Sequence, residues 1–206
     1  MRSYRQYCGL ARALDVIGDR WTLLIVRELL IRGSARYSEL QDGLPGIPTN
    51  LLADRMRHLQ RSGLVERGRT PPAFRLTPRG QALEGVIASI GRWASPLMGE
   101  THPKDAVRDH WFILPMRLYL RDDTPAAGTA IMQIELPDQP VVLRTNGDGS
   151  VGAQPGRAAN PDATLTGTPD AVMGVLSGRL TLRQAQARAL RFDGDVSVLE
   201  RLAGRT

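Results

Sequence analysis

Apolar residues recur at helical spacing through the first part of the chain. Leu10, Ala13, Leu14 and Ile17 form a short stripe that stops at Gly18, a residue suited to a helix end. Asp19 can cap the next helix, in which Trp21, Leu24, Ile25, Glu28 and Leu29 carry a second, mostly buried stripe to Ile31. Residues 37–44 make a short helix with Ser38 as its cap, closed by the turn Pro45-Gly46-Ile47-Pro48. Residues 49–62 then read as a longer helix, with Gly63 where a left-handed cap is wanted.

The period next changes to two. Leu64-Val65-Glu66-Arg67 and Phe74-Arg75-Leu76-Thr77 alternate on either side of Thr70-Pro71-Pro72, which predicts a β-hairpin. Thr77-Pro78 opens another helix, whose apolar face is Leu83, Val86, Ile87, Ile90 and Trp93. Helix, helix, helix-turn-helix, hairpin, helix is the order of a winged helix-turn-helix domain, placed at residues 1–96. Residues 97–106 mix Gly, His, Pro and charge and form the expected boundary. Beyond it, residues 111–120 read as a helix that Pro115 kinks or delays. Strands are expected at 129–136, 141–145, 151–154 and 163–166, with Asn146-Gly147-Asp148-Gly149 as a hairpin turn. Helices come after them at 172–176, started by Thr168-Pro169-Asp170, and at 181–189 and 195–202. The fold class is therefore α+β: a winged helix-turn-helix domain, then a small α+β domain over 97–206.

Charge sharpens this division. The 206 residues hold 27 Lys+Arg against 21 Asp+Glu, a net +6, and Lys104 is the one lysine. Residues 1–96 carry 15 Arg against 8 Asp+Glu, whereas residues 97–206 carry 12 Lys+Arg against 13 Asp+Glu. The basicity belongs to the first domain, which suggests a nucleic-acid- or membrane-facing module joined to a neutral one; with the winged helix-turn-helix order, double-stranded DNA is the expected partner. No apolar run approaches the roughly 18 to 20 residues of a membrane-spanning helix, and the start Met-Arg-Ser-Tyr-Arg has no apolar core behind it. A cytoplasmic protein with no membrane partner is expected. One cysteine, Cys8, excludes a disulfide within the chain and a Cys-rich zinc site, and three histidines, His58, His102 and His110, leave little for metal chemistry. Residues 97–206 supply no nucleophile–base pair and no glycine-rich phosphate loop. No metal, cofactor or enzyme activity is expected.

A helix entering the major groove must bury one side and offer the other to DNA. At 100° per residue, Leu52, Met56 and Leu59 fall together and Asn50, Asp54, Arg57 and Arg61 fall opposite. Thr49 and Asn50 are placed to hydrogen-bond base edges, and Arg57 to reach guanine or phosphate. Asp54 would repel phosphate, so it either accepts from a cytosine amine or restrains Arg57. In the hairpin, Arg67, Arg69 and Arg75 surround Pro71-Pro72, where a guanidinium can enter the minor groove or grip phosphate. Arg36 and Ser38, at the start of the short helix, are further phosphate contacts.

These residues carry a resemblance. Cys8, "ALDVIGDRWTLLIVRELL", "RYSELQDGLPGIPTNLLADRMRHLQRSGLVER" and "FRLTPRGQAL" resemble the HxlR family of bacterial winged-helix transcription regulators over residues 8–93. The resemblance implies a homodimer, joined through the first and last helices of the domain, on a roughly palindromic operator. The helical wheel separately leaves Val86, Ile90 and Trp93 as apolar surface that a lone domain this small struggles to cover. Cys8 matches a cysteine that some members use to sense oxidants, although Gly9 stands after it where proline is more usual; Arg5 and Arg12 are near enough in sequence to lower its pKa.

The stretch "PDATLTGTPDAVMGVLSGRLTLRQAQARALRFDGD", residues 161–195, resembles the sterol-carrier-protein lipid-binding fold, in which a curved sheet and covering helices enclose an apolar tunnel. Trp111, Phe112, Leu118, Ile134, Val172, Met173 and Leu176 either line a cavity for a small apolar ligand or fill their own core. Together these features point to a homodimeric DNA-binding transcriptional regulator, a repressor, controlled by an apolar effector in its second domain. The alternative is a carrier or sensor of a lipid or hydrophobic metabolite without specific DNA binding.

Overall fold

The computed structural model describes residues 3–68, 72–98 and 104–202. The chain divides into two compact units, residues 1–106 and 107–206.

In the first unit, helices α1 (Gly9–Ile17) and α2 (Thr22–Arg32) are separated by Asp19, whose carboxylate accepts from the Trp21 and Thr22 N–H groups and the Thr22 hydroxyl. That carboxylate caps α2, as its position suggested. Strand β1 (Ser34–Ala35) comes next, two residues that no period could reveal. Helix α3 (Tyr37–Asp42) is followed by α4 (Thr49–Arg61). One expected cap differs, and the start of α4 falls where it was expected. Arg36, not Ser38, stands at the cap of α3, where its N–H donates to the Glu39 carboxylate, and Pro48 precedes α4 in extended backbone, so Thr49 is the first helical residue. Gly63 has φ +68°, the left-handed stop expected after α4.

Strands β2 (Val65–Arg67) and β3 (Phe74–Leu76) pair antiparallel, with β1 on the other side of β3. The helix expected beyond them is broken at Ala82 into α5 (Pro78–Gln81) and α6 (Leu83–Ala94). The Thr77 hydroxyl accepts from the Gly80 N–H, as the Thr-Pro cap predicts. Gly80 lies so close to the Leu64 carbonyl oxygen that a Cβ has no room, which fixes the base of the hairpin against α5.

Ile25, Leu29, Leu40, Leu44, Leu52 and Leu59 are completely enclosed and form the centre of this unit. Each contributes roughly 1.5 to 3 kcal/mol by leaving water. Among them lies one carboxylate. Glu28 is wholly buried, accepting from Arg27 at 2.8 Å and from Arg32 at 3.4 Å. Its oxygen occupies the space that a Cβ on Gly43 would need, at the end of α3.

The second unit begins with a 3-10 turn (Asp109–Phe112) and helix α7 (Ile113–Tyr119). Pro115 falls in the first turn of α7, where its missing N–H costs nothing, so the helix starts late and needs no kink. A five-stranded sheet has the order β6-β5-β4-β7-β8, with β4 (Ile131–Glu135), β5 (Val141–Thr145), β6 (Val151–Pro155), β7 (Ala163–Thr166) and β8 (Arg191–Gly194). Only β4 and β7 run parallel. Between β7 and β8 lie α8 (Pro169–Leu176) and α9 (Leu182–Gln186), the latter shorter than expected, and α10 (Val196–Leu202) ends the described chain. Strand β8 was not foreseen: with Phe192 as its one large apolar residue, this edge strand has no alternation to read.

A second charged pair closes this unit. Arg201 in α10 donates to Asp122 at 2.6 and 3.1 Å and to the Gly128 carbonyl at 2.7 Å, with the Asp122 side chain fully enclosed. The Arg201 hydrogen bond, then the Thr124 N–H, hold the Asp122 carboxyl below the usual carboxylate range despite burial. A group depressed in this way stabilises the fold above its unfolded pKa, near 4, and loses that contribution as pH falls through its folded value. Asp122→Ala is expected to cost about 3 kcal/mol, because it strands a partly buried guanidinium. Urea unfolding followed by near-UV circular dichroism checks this. The Asp122→Asn protein should lose stability less steeply than wild type between pH 5 and acid, as approximate limits.

Candidate nucleic-acid interface

Helix α4 separates its two faces cleanly. Leu52, Met56 and Leu59 are buried, while Thr49, Asn50, Asp54, Arg57 and Arg61 are exposed. The mount of this helix is specific. Leu44 and Ile47 anchor the turn before it, Gly46 supplies a φ of +83°, and the Tyr37 hydroxyl donates to the Thr49 carbonyl. From the other side, His58 Nε2 lies 3.0 Å from the Val16 carbonyl of α1, which requires the proton on that nitrogen. Arg55 lies 3.6 Å from Asp19, so it serves the seating of α4 rather than its outer face.

On that outer face Arg57 donates to Asp54 at 2.8 Å. This restrains Arg57, one of the two roles open to Asp54 from the sequence. The hydrogen bond and charge of Arg57 hold the Asp54 carboxyl below the usual range, yet both side chains are more than half exposed, so the pair is only weakly held.

The hairpin arginines are also engaged. Register places Glu66 opposite Arg75 and Arg67 opposite Phe74. Arg75 accordingly donates to Glu66 at 2.6 Å, and the Arg67 guanidinium stands 5.6 Å from the centre of the Phe74 ring. These partners were not singled out from sequence; the alternation shows a hairpin but not which residues face one another. Arg69 and Pro71 lie outside the described residues, as does His102. Arg36 and Ser38 are both exposed at the start of α3.

Cys8 is exposed at the N-terminal end of α1. The N–H groups of Ala11 and then Leu10 lower its pKa. Helix-end amides therefore do what Arg5 and Arg12 were expected to do.

The second unit carries a groove of about 760 Å³ lined by Pro115, Tyr119, Leu120, Met173, Leu176 and Leu202, with Arg121, Asp123 and Ser177 as polar members. Met173 lines it half-buried, whereas Leu176 backs its wall but is itself fully enclosed. Ile134 and Val172 are fully enclosed and belong to the core, and Trp111, Phe112 and Leu118 are half-buried and do not line this groove. Among the described residues no cluster of three His, Cys, Asp or Glu is arranged to hold a metal, and no helix is long and apolar enough to cross a membrane.

A helix seated by three apolar residues, exposing Thr, Asn and Arg beside an arginine-bearing hairpin, is the architecture of a winged-helix DNA-binding regulator. Residues 16–102 match the HxlR-like helix-turn-helix family and residues 121–205 match the SCP-2 sterol transfer family. The chain is 35% identical over 89 residues to the uncharacterized HTH-type transcriptional regulator YvaP of Bacillus subtilis, covering 41% of this chain and 82% of that protein. It is 32% identical over 87 residues to the HTH-type transcriptional regulator YodB of the same organism, covering 40% of this chain and 77% of YodB. The solved structure of reduced YodB aligns at 30% identity, with a TM-score of 0.40, over 46% of this chain and all of that one. The protein belongs to the HxlR-like family of transcriptional regulators and joins to its DNA-binding unit an SCP-2-type domain.

Alkylation of Cys8 by iodoacetamide should rise with pH at a lower midpoint in the native protein than in urea, where the helix-end amides are dispersed. Identical midpoints would remove those amides as the cause.

Proposed function

We propose that the protein is a homodimeric repressor that binds a near-palindromic operator through α4 and the hairpin, and that an apolar effector in the second domain controls it. The observation that carries the DNA reading is the solvent face of α4. Asn50 near its first turn suits adenine, Arg57 suits guanine or phosphate, and Arg67 and Arg75 suit the backbone beside the groove.

Dimerisation is supported by apolar surface that this unit leaves uncovered. In α6 the one buried residue is Ala88, while Ile90 is 44% and Trp93 76% exposed. At the other end, Ser3 and the Tyr4 N–H bond to Asp15 and hold the N-terminal segment along α1, with Leu10 69% exposed. A monomer rarely leaves such a set in water. The effector reading rests on the groove beside Met173 and Leu176, whose volume suits a small molecule. An effector acts only if it binds the DNA-competent and incompetent states with different affinity. Membership in a regulator family favours this function over a carrier without specific DNA binding.

Fluorescence anisotropy with a duplex from the promoter beside its own gene tests the reading. Binding should weaken steeply with salt and exceed that to random duplex; indifference to salt, or no preference, rejects it. Arg57→Ala should cost about 1 to 3 kcal/mol on the operator and reduce discrimination, whereas Arg75→Ala should weaken both duplexes evenly. Equal losses on both duplexes for Arg57→Ala would contradict its assignment to base reading. Native mass spectrometry should report a dimer for wild type and a monomer for Trp93→Asp, and shows any retained apolar ligand in the same spectrum.

A further inference from the structure

The second unit is neutral as a whole, with 11 Arg against 11 Asp+Glu in residues 107–206, but its charge is not evenly spread. Between Asp170 and Asp193 there are four arginines, Arg179, Arg183, Arg188 and Arg191, and no acidic residue. All four are exposed. Arg179 lies 3.8 Å from Asp170, whereas Arg183, Arg188 and Arg191 have no side-chain partner among the described residues.

The backbone keeps these three close. Thr181 and Gln184 form a reciprocal cap at the start of α9. At its end the Arg188 and Leu190 N–H groups both donate to the Ala185 carbonyl, and Ala189 takes a φ of +64°. That left-handed conformation is ordinarily left to glycine and costs an alanine about 1 kcal/mol. It returns the chain at once into β8, so Arg183, Arg188 and Arg191 sit on one tight helix–turn–edge-strand unit.

We propose that this unit is a second phosphate-contacting surface, by which the SCP-2-type domain adds sequence-independent DNA contacts to those of the winged helix. Arginine presents a planar fork that matches phosphate oxygens, and three with no carboxylate to satisfy them are a site for a polyanion. An anionic membrane is the competing polyanion. Charge alone docks a protein on anionic lipid when roughly four to eight basic residues cluster; a smaller set needs an apolar side chain to insert beside it, and no large apolar residue between 171 and 192 is among the exposed ones. DNA held by the first unit is, in addition, at high effective concentration for any surface of the second that the connecting segment lets reach it. The proposal rests on DNA binding by the winged helix, and on nothing about operator sequence or effector.

The test compares full-length wild type with the triple variants Arg183→Gln/Arg188→Gln/Arg191→Gln and Arg183→Lys/Arg188→Lys/Arg191→Lys on a random-sequence duplex across a salt series. Each released phosphate contact lowers the slope of log affinity against log salt by about 0.9. The glutamine variant should lose about 2.7 units of slope, about 0.9 for each of the three contacts, with thermal unfolding unchanged, and the lysine variant should keep most of it. An unchanged slope in the glutamine variant overturns the proposal and leaves these arginines as protection of the β8 edge. Loss of binding to phosphatidylserine vesicles, with the DNA slope intact, overturns it in favour of a membrane. If the α4 reading alone is wrong, wild type shows no operator preference while the slope difference persists.

Discussion

A carboxylate removed from water sets the geometry of the DNA-binding unit. Glu28 is wholly enclosed, and its charge is tolerable there because Arg27 and Arg32 of the same helix fold back onto it. The arrangement demands that the end of α3 come close without a side chain, which Gly43 permits. The distance between α2 and α3 is thereby specified by polar contacts, whereas apolar packing alone tolerates small slides. Leu44 and Ile47 come within the next four residues and carry that placement to the start of α4.

Much of this was legible in the chain. The wheel over residues 49–62 separated Leu52, Met56 and Leu59 from Asn50, Asp54, Arg57 and Arg61, and α4 divides in that way because burial and exposure track the 3.6-residue period. The capping Asp19, the Thr77-Pro78 helix start and the left-handed Gly63 were equally readable, since each is a local backbone demand. Partners across the chain were not. Glu28 reads as one polar member of an apolar stripe, and its burial depends on Gly43, 15 positions away. The edge strands β1 and β8 are made by neighbours, not by their own sequence, and the cap of α3 falls at Arg36 because Glu39 reaches back to its N–H. In the second unit, composition named apolar residues but could not divide the enclosed Ile134, Val172 and Leu176 from the half-buried Met173 at the groove.

The two units handle charge differently. In the winged-helix unit, three of the arginines that face solvent on α4 and the hairpin are held by neighbours, Arg57 by Asp54, Arg75 by Glu66 and Arg67 by the Phe74 ring. Such pairing restricts rotamers before a ligand arrives, so less entropy is lost on binding. In the second unit the strongest pair, Arg201 with Asp122, is turned inward and joins α10 to the segment before β4, while other arginines stand unpaired at the surface. Pairing thus serves orientation in the first unit and closure in the second.

That inward pair also has a bearing on the order in which the chain matures. Asp122 and Arg201 are 79 residues apart, and Arg201 belongs to the final described helix. Synthesis proceeds from the N-terminus, and domains fold as units in the order they emerge. The winged-helix unit is present in full once residue 106 is available, whereas the second unit cannot seal its core until α10 has been made. A chain interrupted before α10 would therefore carry a finished winged-helix unit and an unsealed second one.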